Sequence, residues 1–188
     1  MQSRLIRTLD ILFAALGLLV TLPLILIILI TGYLDSKSPL FLQQRVGQSQ
    51  QPFTLLKFRT MAPETESVGT HLVNSNAITS LGRFLRKTKL DELPQLVNVL
   101  LGDMSLVGPR PCLPNQRELI EERNRRGVYD AIPGITGLAQ INQVDMSTPR
   151  KLAVYDSLMI RNLSLKHYLC YLTATALGRG SGDRIRSA

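Results

Sequence analysis

Apolar and polar positions split this chain into one long uncharged run and a set of short alternating stretches. The run, ILFAALGLLVTLPLILIILITGYL, covers Ile11 to Leu34. As one helix it would reach roughly 36 Å, enough for a ~30 Å hydrocarbon core. It is too long for a cleaved leader and has no small-x-small site after it. A helix this apolar on every face is also out of place inside so small a domain. Pro23 sits near its middle, removes a backbone donor and predicts a break, with the Thr21 hydroxyl close by to absorb local strain. Arg4 and Arg7 precede the run, and Lys37, Arg45, Lys57 and Arg59 follow it. Both flanks are basic, so both favour the cytoplasm. Each arm around Pro23 would span only roughly 18 Å. A re-entrant hairpin entering one leaflet is therefore preferred to a single crossing.

After the run, Ser38–Met61 reads as a β-hairpin. Leu40–Val46 and Phe53–Phe58 are the strands, and Gly47 to Pro52 the turn. The polar stretch APETESVGTHLVNSNAI reads as a loop. Leu81 to Lys87 and Leu93 to Leu101 carry helical periodicity, the second stopped by Gly102. Asn115–Asp130 reads as a charged amphipathic helix, Ile132–Asn142 as Gly/Pro-punctuated loop and strand, and Ser147 to Leu177 as mainly helix. Leu169 to Leu177 is apolar enough to lie on a membrane surface. The tail GRGSGDRIRSA reads as flexible. Its glycines follow no strand, so it is rejected as a phosphate loop.

Composition adds a partner class. The 188 residues carry a formal charge of +8, which calls for an anionic partner: nucleic acid, anionic lipid or a phosphorylated substrate. Tryptophan is absent and aromatics make up 5%, so base-stacking platforms are poorly supplied and nucleic acid is set aside. Cys112 and Cys170 form no CxxC pair, and no thiolate metal site is expected.

Against this basic background stand two adjacent acids, Asp91 and Glu92, in KLDELPQLVNVLLGDMSLVGPRP. Asp91 could be an N-cap and Glu92 a first-turn acid, favoured by the helix dipole. One cap needs only one acid, however, and the neighbourhood is crowded with cations. Arg83, Arg86, Lys87 and Lys89 precede the pair, Arg110 follows, and the hairpin supplies Lys57 and Arg59. An ionised carboxylate among cations can attack phosphorus or hold Mg²⁺ beside a phosphate, and guanidinium groups clamp phosphate oxygens. Arg110 stands between two prolines on a stiff mount. Lys87 and Lys89 read as solvated, His71 and His167 as structural, and Asp103 as a turn residue. PGITG reads equally as a tight loop near a ligand or as ordinary turn chemistry.

In order, the Pro-interrupted apolar segment, FLQQRVG, FTLLKFRTM, LRKTKLDELPQLVNVLLGDMSLVGPRP and PGITGLAQIN resemble the monotopic phosphoglycosyl transferases, a bacterial sugar transferase family. The resemblance covers nearly the whole chain, and its central block is the specific part. It implies a compact α+β fold, mainly helical and membrane-associated, with a small β-hairpin. Residues 1–36 would form the re-entrant membrane helix, 37–178 the catalytic domain with interfacial helices, and 179–188 the basic tail. The implied reaction moves a sugar phosphate from a UDP-sugar to polyprenyl (undecaprenyl) phosphate and releases UMP. It opens glycoconjugate assembly at the cytoplasmic face of the bacterial inner membrane.

In the family's terms Asp91 would be the nucleophile and a Mg²⁺ contact, and Glu92 an acceptor base or a shaper of the metal site. Lys57, Arg59, Arg86 and Arg110 would hold phosphate or the site scaffold. Asp156 would organise the site, and Pro23 would break the membrane helix. Membrane lipids are expected partners, and a homodimer stays open. The chain reads as the minimal catalytic form. Ile132, Gln143 and Val144 depart from the family pattern, which bears on sugar or nucleotide recognition. Two alternatives stay open: a non-catalytic basic membrane-anchored adaptor, and one-step transfer with Asp91 only holding metal.

Overall fold

The computed structural model describes residues 3–65 and 77–180. His71, most of the polar loop and the tail beyond Gly180 lie outside the described residues. The fold is α+β: a long apolar N-terminal helix, two small two-stranded sheets and several shorter helices.

Helix α1 (Arg4–Ser36) runs without interruption through Pro23. The break expected there is not seen. Proline removes a single backbone donor, and the flanking residues of the run are good helix formers. Thr21 donates its hydroxyl to the Gly17 carbonyl (2.6 Å), one turn back. The helix ends on Lys37 in the left-handed region.

One stripe of α1 packs on the rest of the molecule, and the other faces are bare. Ile6, Ala14, Ile28 and Gly32 are buried, at spacings that repeat on one helix face. Leu12, Leu16, Leu19, Val20, Ile27, Ile30 and Leu34 are exposed. Both ends of the helix are fastened to the same folded unit. Near the start, buried Asp10 accepts three hydrogen bonds: from the Ser105 hydroxyl (2.8 Å), the Leu106 N–H (3.0 Å) and the Tyr168 hydroxyl (2.8 Å). Burial, together with the Asp10 carboxylate, pushes the Tyr168 phenol well above the usual tyrosine range and keeps it a donor. Arg7 donates to the Leu100 and Met104 carbonyls at the end of a later helix. Near its other end, Ile28 packs with Phe58 and Leu85.

Strands β1 (Leu40–Val46) and β2 (Pro52–Phe58) pair antiparallel with Leu40 opposite Phe58 and Val46 opposite Pro52, as the alternation predicts. Helix α2 (Ser80–Thr88) is capped by the Thr79 hydroxyl and lies against the backbone of Thr60. The chain then turns through Lys89, in the left-handed region, into a short 3₁₀ turn, Leu90–Glu92, and on to α3 (Gln95–Leu101), ended by Gly102 at φ +99°. The Asn98 side chain binds α3 to β2: its amide donates to the Thr54 carbonyl (2.8 Å) and its oxygen accepts from the Leu56 N–H (3.0 Å).

Of the second sheet, the strand within Ile132–Asn142 is legible in the sequence, while its partner is not. β3 (Ser105–Val107) and β4 (Gly134–Thr136) pair parallel. PGITG is thus a strand edge rather than a free loop. A Cβ on Gly134 would come within 2.0 Å of the Gly108 nitrogen, so only glycine permits this approach. The helix expected over Asn115–Asp130 is two pieces, α4 (Arg117–Arg125) and a 3₁₀ turn at Val128–Asp130, with Gly127 in the left-handed region between them. Helices α5 (Leu138–Ile141), α6 (Pro149–Arg161) and α7 (Leu165–Ala176) complete the described fold.

Candidate active site

Two loops and a strand meet at Glu92. The strand β2 presents Lys57 on the same side as buried Leu55, and α3 is tied to that strand through Asn98. The turn before α3 carries Asp91 and Glu92. The loop after β3 carries Arg110. Glu92 accepts from Arg110 Nη2 at 2.6 Å and from Lys57 Nζ at 3.4 Å. Its side chain is 12% exposed and that of Arg110 is 15% exposed, so the cluster is largely desolvated yet open on one side. Asp91, next along the turn, is 7% exposed. It caps neither the 3₁₀ turn nor α3, whose N-cap is Pro94. Asp91 is therefore not an N-cap, while both acids lie in the first turn of the 3₁₀ segment.

The loop Gly108–Pro111 owes its position to three groups. Gly108 donates to Thr136 O (2.8 Å) and Pro109 O accepts from Gly134 N (2.9 Å), which joins it to β4. Arg45 Nη1 donates to Pro111 O (3.0 Å). Arg123 Nη1 donates to Arg110 O (2.9 Å). Arg123 is in turn fixed by Asp156, with Nε and Nη2 at 2.9 and 2.7 Å from Oδ2. Both members of this pair are almost completely buried, at 2% and 1% exposure. Burial raises the Asp156 carboxyl above the ordinary carboxylate range, and the Arg123 guanidinium offsets only part of that rise.

The residues singled out from sequence thus fall into three groups. Lys57, Glu92 and Arg110 come together directly, with Asp91 beside them in the chain. Asp156 lies one step behind, acting on Arg110 only through Arg123. Arg59 and Arg86 point elsewhere. Arg59 donates to Ser38 O (2.8 Å), Ser38 Oγ (3.2 Å) and Leu40 O (3.3 Å) and covers the Phe41 ring, so it braces the hairpin. Arg86 Nε donates to the Thr60 hydroxyl (2.9 Å), while its Nη1 is buried with no partner among the described residues. Pro23 lies in α1, within the apolar segment.

Several site-building residues were missed. In sequence Arg45 reads only as part of the basic flank, and Arg123 only as one of the charges of the amphipathic stretch Asn115–Asp130. The only sequence signal for Arg123 is its position four residues after the core leucine Leu119, on the inward face of α4. Lys89, read as solvated, donates to Arg179 O (3.1 Å). His167 accompanies the N-cap of α7, Asp103 contacts Asn98, and Cys112 and Cys170 are free thiols. Gln143 is exposed and Val144 is buried in the core.

Glu92, the Arg110 fork and Lys57 thus form one charged cluster, with Asp91 adjacent in sequence, on the same folded unit as the long apolar helix. The family model for bacterial sugar transferases matches residues 1–179, and the chain belongs to that family. It is 52% identical over 106 residues to an uncharacterized sugar transferase, EpsL, of Bacillus subtilis, covering 56% of this chain and 52% of that one. It is 40% identical over 133 residues to a putative undecaprenyl-phosphate N-acetylgalactosaminyl 1-phosphate transferase of the same bacterium, covering 69% and 70%. It is also 37% identical over 170 residues to a UDP-N-acetylgalactosamine-undecaprenyl-phosphate N-acetylgalactosaminephosphotransferase of Aeromonas hydrophila, covering 85% and 40%. The chain thus spans about half the length of EpsL and less of the Aeromonas protein.

Proposed function

We propose that this chain transfers sugar 1-phosphate from a UDP-sugar to undecaprenyl phosphate, with release of UMP, as the first membrane step of glycoconjugate assembly. The observation that carries this reading is the cluster of Glu92 with Arg110 at 2.6 Å and Lys57 at 3.4 Å, next in sequence to Asp91, on a unit fastened to both ends of an apolar helix. The names of the Bacillus and Aeromonas relatives supply the substrate classes.

The Asp91 carboxylate attacks the sugar-bearing phosphorus of the donor. A P–O bond forms to Asp91, and the bond from that phosphorus to the bridging oxygen breaks, so UMP leaves with the electron pair. An oxygen of undecaprenyl phosphate then attacks the same phosphorus. The bond to Asp91 breaks, the carboxylate is restored, and a diphosphate-linked sugar lipid results. Arg110, held rigid by Arg123, Arg45 and two prolines, meets the charge that builds on the phosphoryl oxygens. Glu92 holds Arg110 and Lys57 in place and accepts the proton if the acceptor enters protonated.

Magnesium fits the donor set in one way. Among the described residues no cluster of three or more His, Cys, Asp or Glu side chains forms a cage. Oxygen ligation by Asp91 together with substrate phosphates needs no cage, and is the habit of this ion. When bound there it would offset phosphate charge.

The bare faces of α1 suit a bilayer better than water, since exposed apolar patches of this extent mark membrane contact. With both helix ends seated on one unit, a monotopic placement of α1 at the cytoplasmic face follows more readily than a crossing, and a re-entrant hairpin would need a bend at Pro23 that the continuous helix does not contain. The soluble nucleotide sugar and the lipid acceptor then reach one site from two phases.

The test is UMP release over a panel of UDP-sugars with undecaprenyl phosphate and Mg²⁺, paired with mass spectrometry of the protein incubated with donor alone. A phospho-sugar on the Asp91 peptide is expected. An active preparation that never carries the adduct would favour one-step transfer, and a folded chain inert to every donor would favour an adaptor.

A further inference from the structure

The geometry points to Gln140 as the residue that reads the uncharged part of the donor, an inference that rests on the function proposed above. A shallow cleft opens beside Glu92 and Arg110, lined further by Thr136, Gln140, Thr175, Lys89 and Arg179. Gln140 is 8% exposed, and neither its amide nitrogen nor its amide oxygen has a hydrogen-bond partner among the described residues. A buried amide left open at both atoms costs roughly 1–3 kcal/mol per group, a burden that a ligand would relieve.

The same sheet that mounts Arg110 mounts Gln140. β3 leads into the Arg110 loop, its partner β4 ends at Thr136, and α5 begins two residues later with Gln140 inside it. The cleft therefore has a charged wall and a neutral wall. Lys89, Glu92 and Arg110 form the first. Gln140, Ile135 and the hydroxyls of Thr136 and Thr175, 2.6 Å apart, form the second. A phosphate ionised at neutral pH has no N–H or O–H to offer the Gln140 oxygen. The occupant of the neutral wall must instead present a donor and an acceptor side by side. A uracil imide edge does so, and so does a sugar bearing hydroxyl or acetamido groups. With a diphosphate on Arg110, one of these faces Gln140.

The test compares the wild-type chain with Gln140→Met, purified in detergent, using calorimetric binding of UMP and of UDP-sugars alongside steady-state UMP release. Methionine removes both hydrogen-bonding atoms at similar volume, so the melting temperature should hold or rise. Affinity for the matched ligand should fall about 10- to 100-fold, the worth of two such bonds, with KM raised more than kcat is lowered. Loss already seen with UMP assigns Gln140 to the base; loss seen only with UDP-sugars assigns it to the sugar. Unchanged affinities in a chain that turns over normally would overturn this inference alone, whereas nucleotide binding without turnover in the wild type would overturn the transferase reading. If Gln140→Met fails to fold, Gln140→Glu keeps the acceptor and loses the donor, and it should still bind more weakly; unaltered binding there would overturn the inference too.

Discussion

Two acid–guanidinium pairs meet at Arg110, and they do opposite work. Glu92 takes the Arg110 side chain at a partly open surface, with Lys57 sharing the charge. Asp156 takes Arg123 in an almost sealed interior, and Arg123 passes the constraint on through the Arg110 carbonyl. The open pair can exchange partners with an incoming phosphate. The sealed pair cannot, because a lone charge there has no water to turn to. A guanidinium beside a carboxylate is thus a working group or a strut according to its access, and sequence shows the pair without showing the access.

The largest effect should come from Asp91→Asn, which keeps the side-chain volume but removes the proposed nucleophile. Turnover should drop by roughly 10⁴-fold or more with an unchanged circular dichroism spectrum and melting temperature. Retained turnover would remove the covalent route. Next, Arg123→Met should strand Asp156 and cost about 3–5 kcal/mol, read as a melting temperature lower by roughly 10 °C. The double variant Arg123→Met, Asp156→Leu should recover much of that loss. If the single variant melts like the wild type, the strut is not a strut.

Glu92→Gln sharpens the contrast from the other side. It weakens two charge-assisted contacts at an accessible site, so activity should fall about 10- to 100-fold while the melting point moves little. A large loss of stability with little loss of activity would make the two pairs equivalent. The smallest effect belongs to Arg59→Lys. The fork onto Ser38 and Leu40 is lost, at about 1 kcal/mol and a few degrees of melting temperature, with turnover within about twofold. A strong kinetic defect would return Arg59 to the phosphate-binding group.

Local features were readable where one period or one residue type suffices. The apolar run, the Leu40–Val46 strand and its partner, and the Gly102 stop all appear where the pattern puts them. The Pro23 break does not, because a long apolar helix absorbs the loss of one hydrogen bond. The strand within Ile132–Asn142 was readable, but β3 and its parallel pairing were missed because three residues are too few for alternation to register.

Sequence alone determined the long apolar helix, the hairpin and the Asp-Glu turn in its basic setting, since each depends on neighbours within a few residues. Only the tertiary structure decided that Asp10 ties that helix to Tyr168, 158 positions away, and that Arg45 reaches across 66 positions to brace the Arg110 loop. It also decided which guanidinium faces Glu92 and which is buried. Such pairings depend on which surfaces close over each other, and chain closure across those distances leaves no local pattern to read.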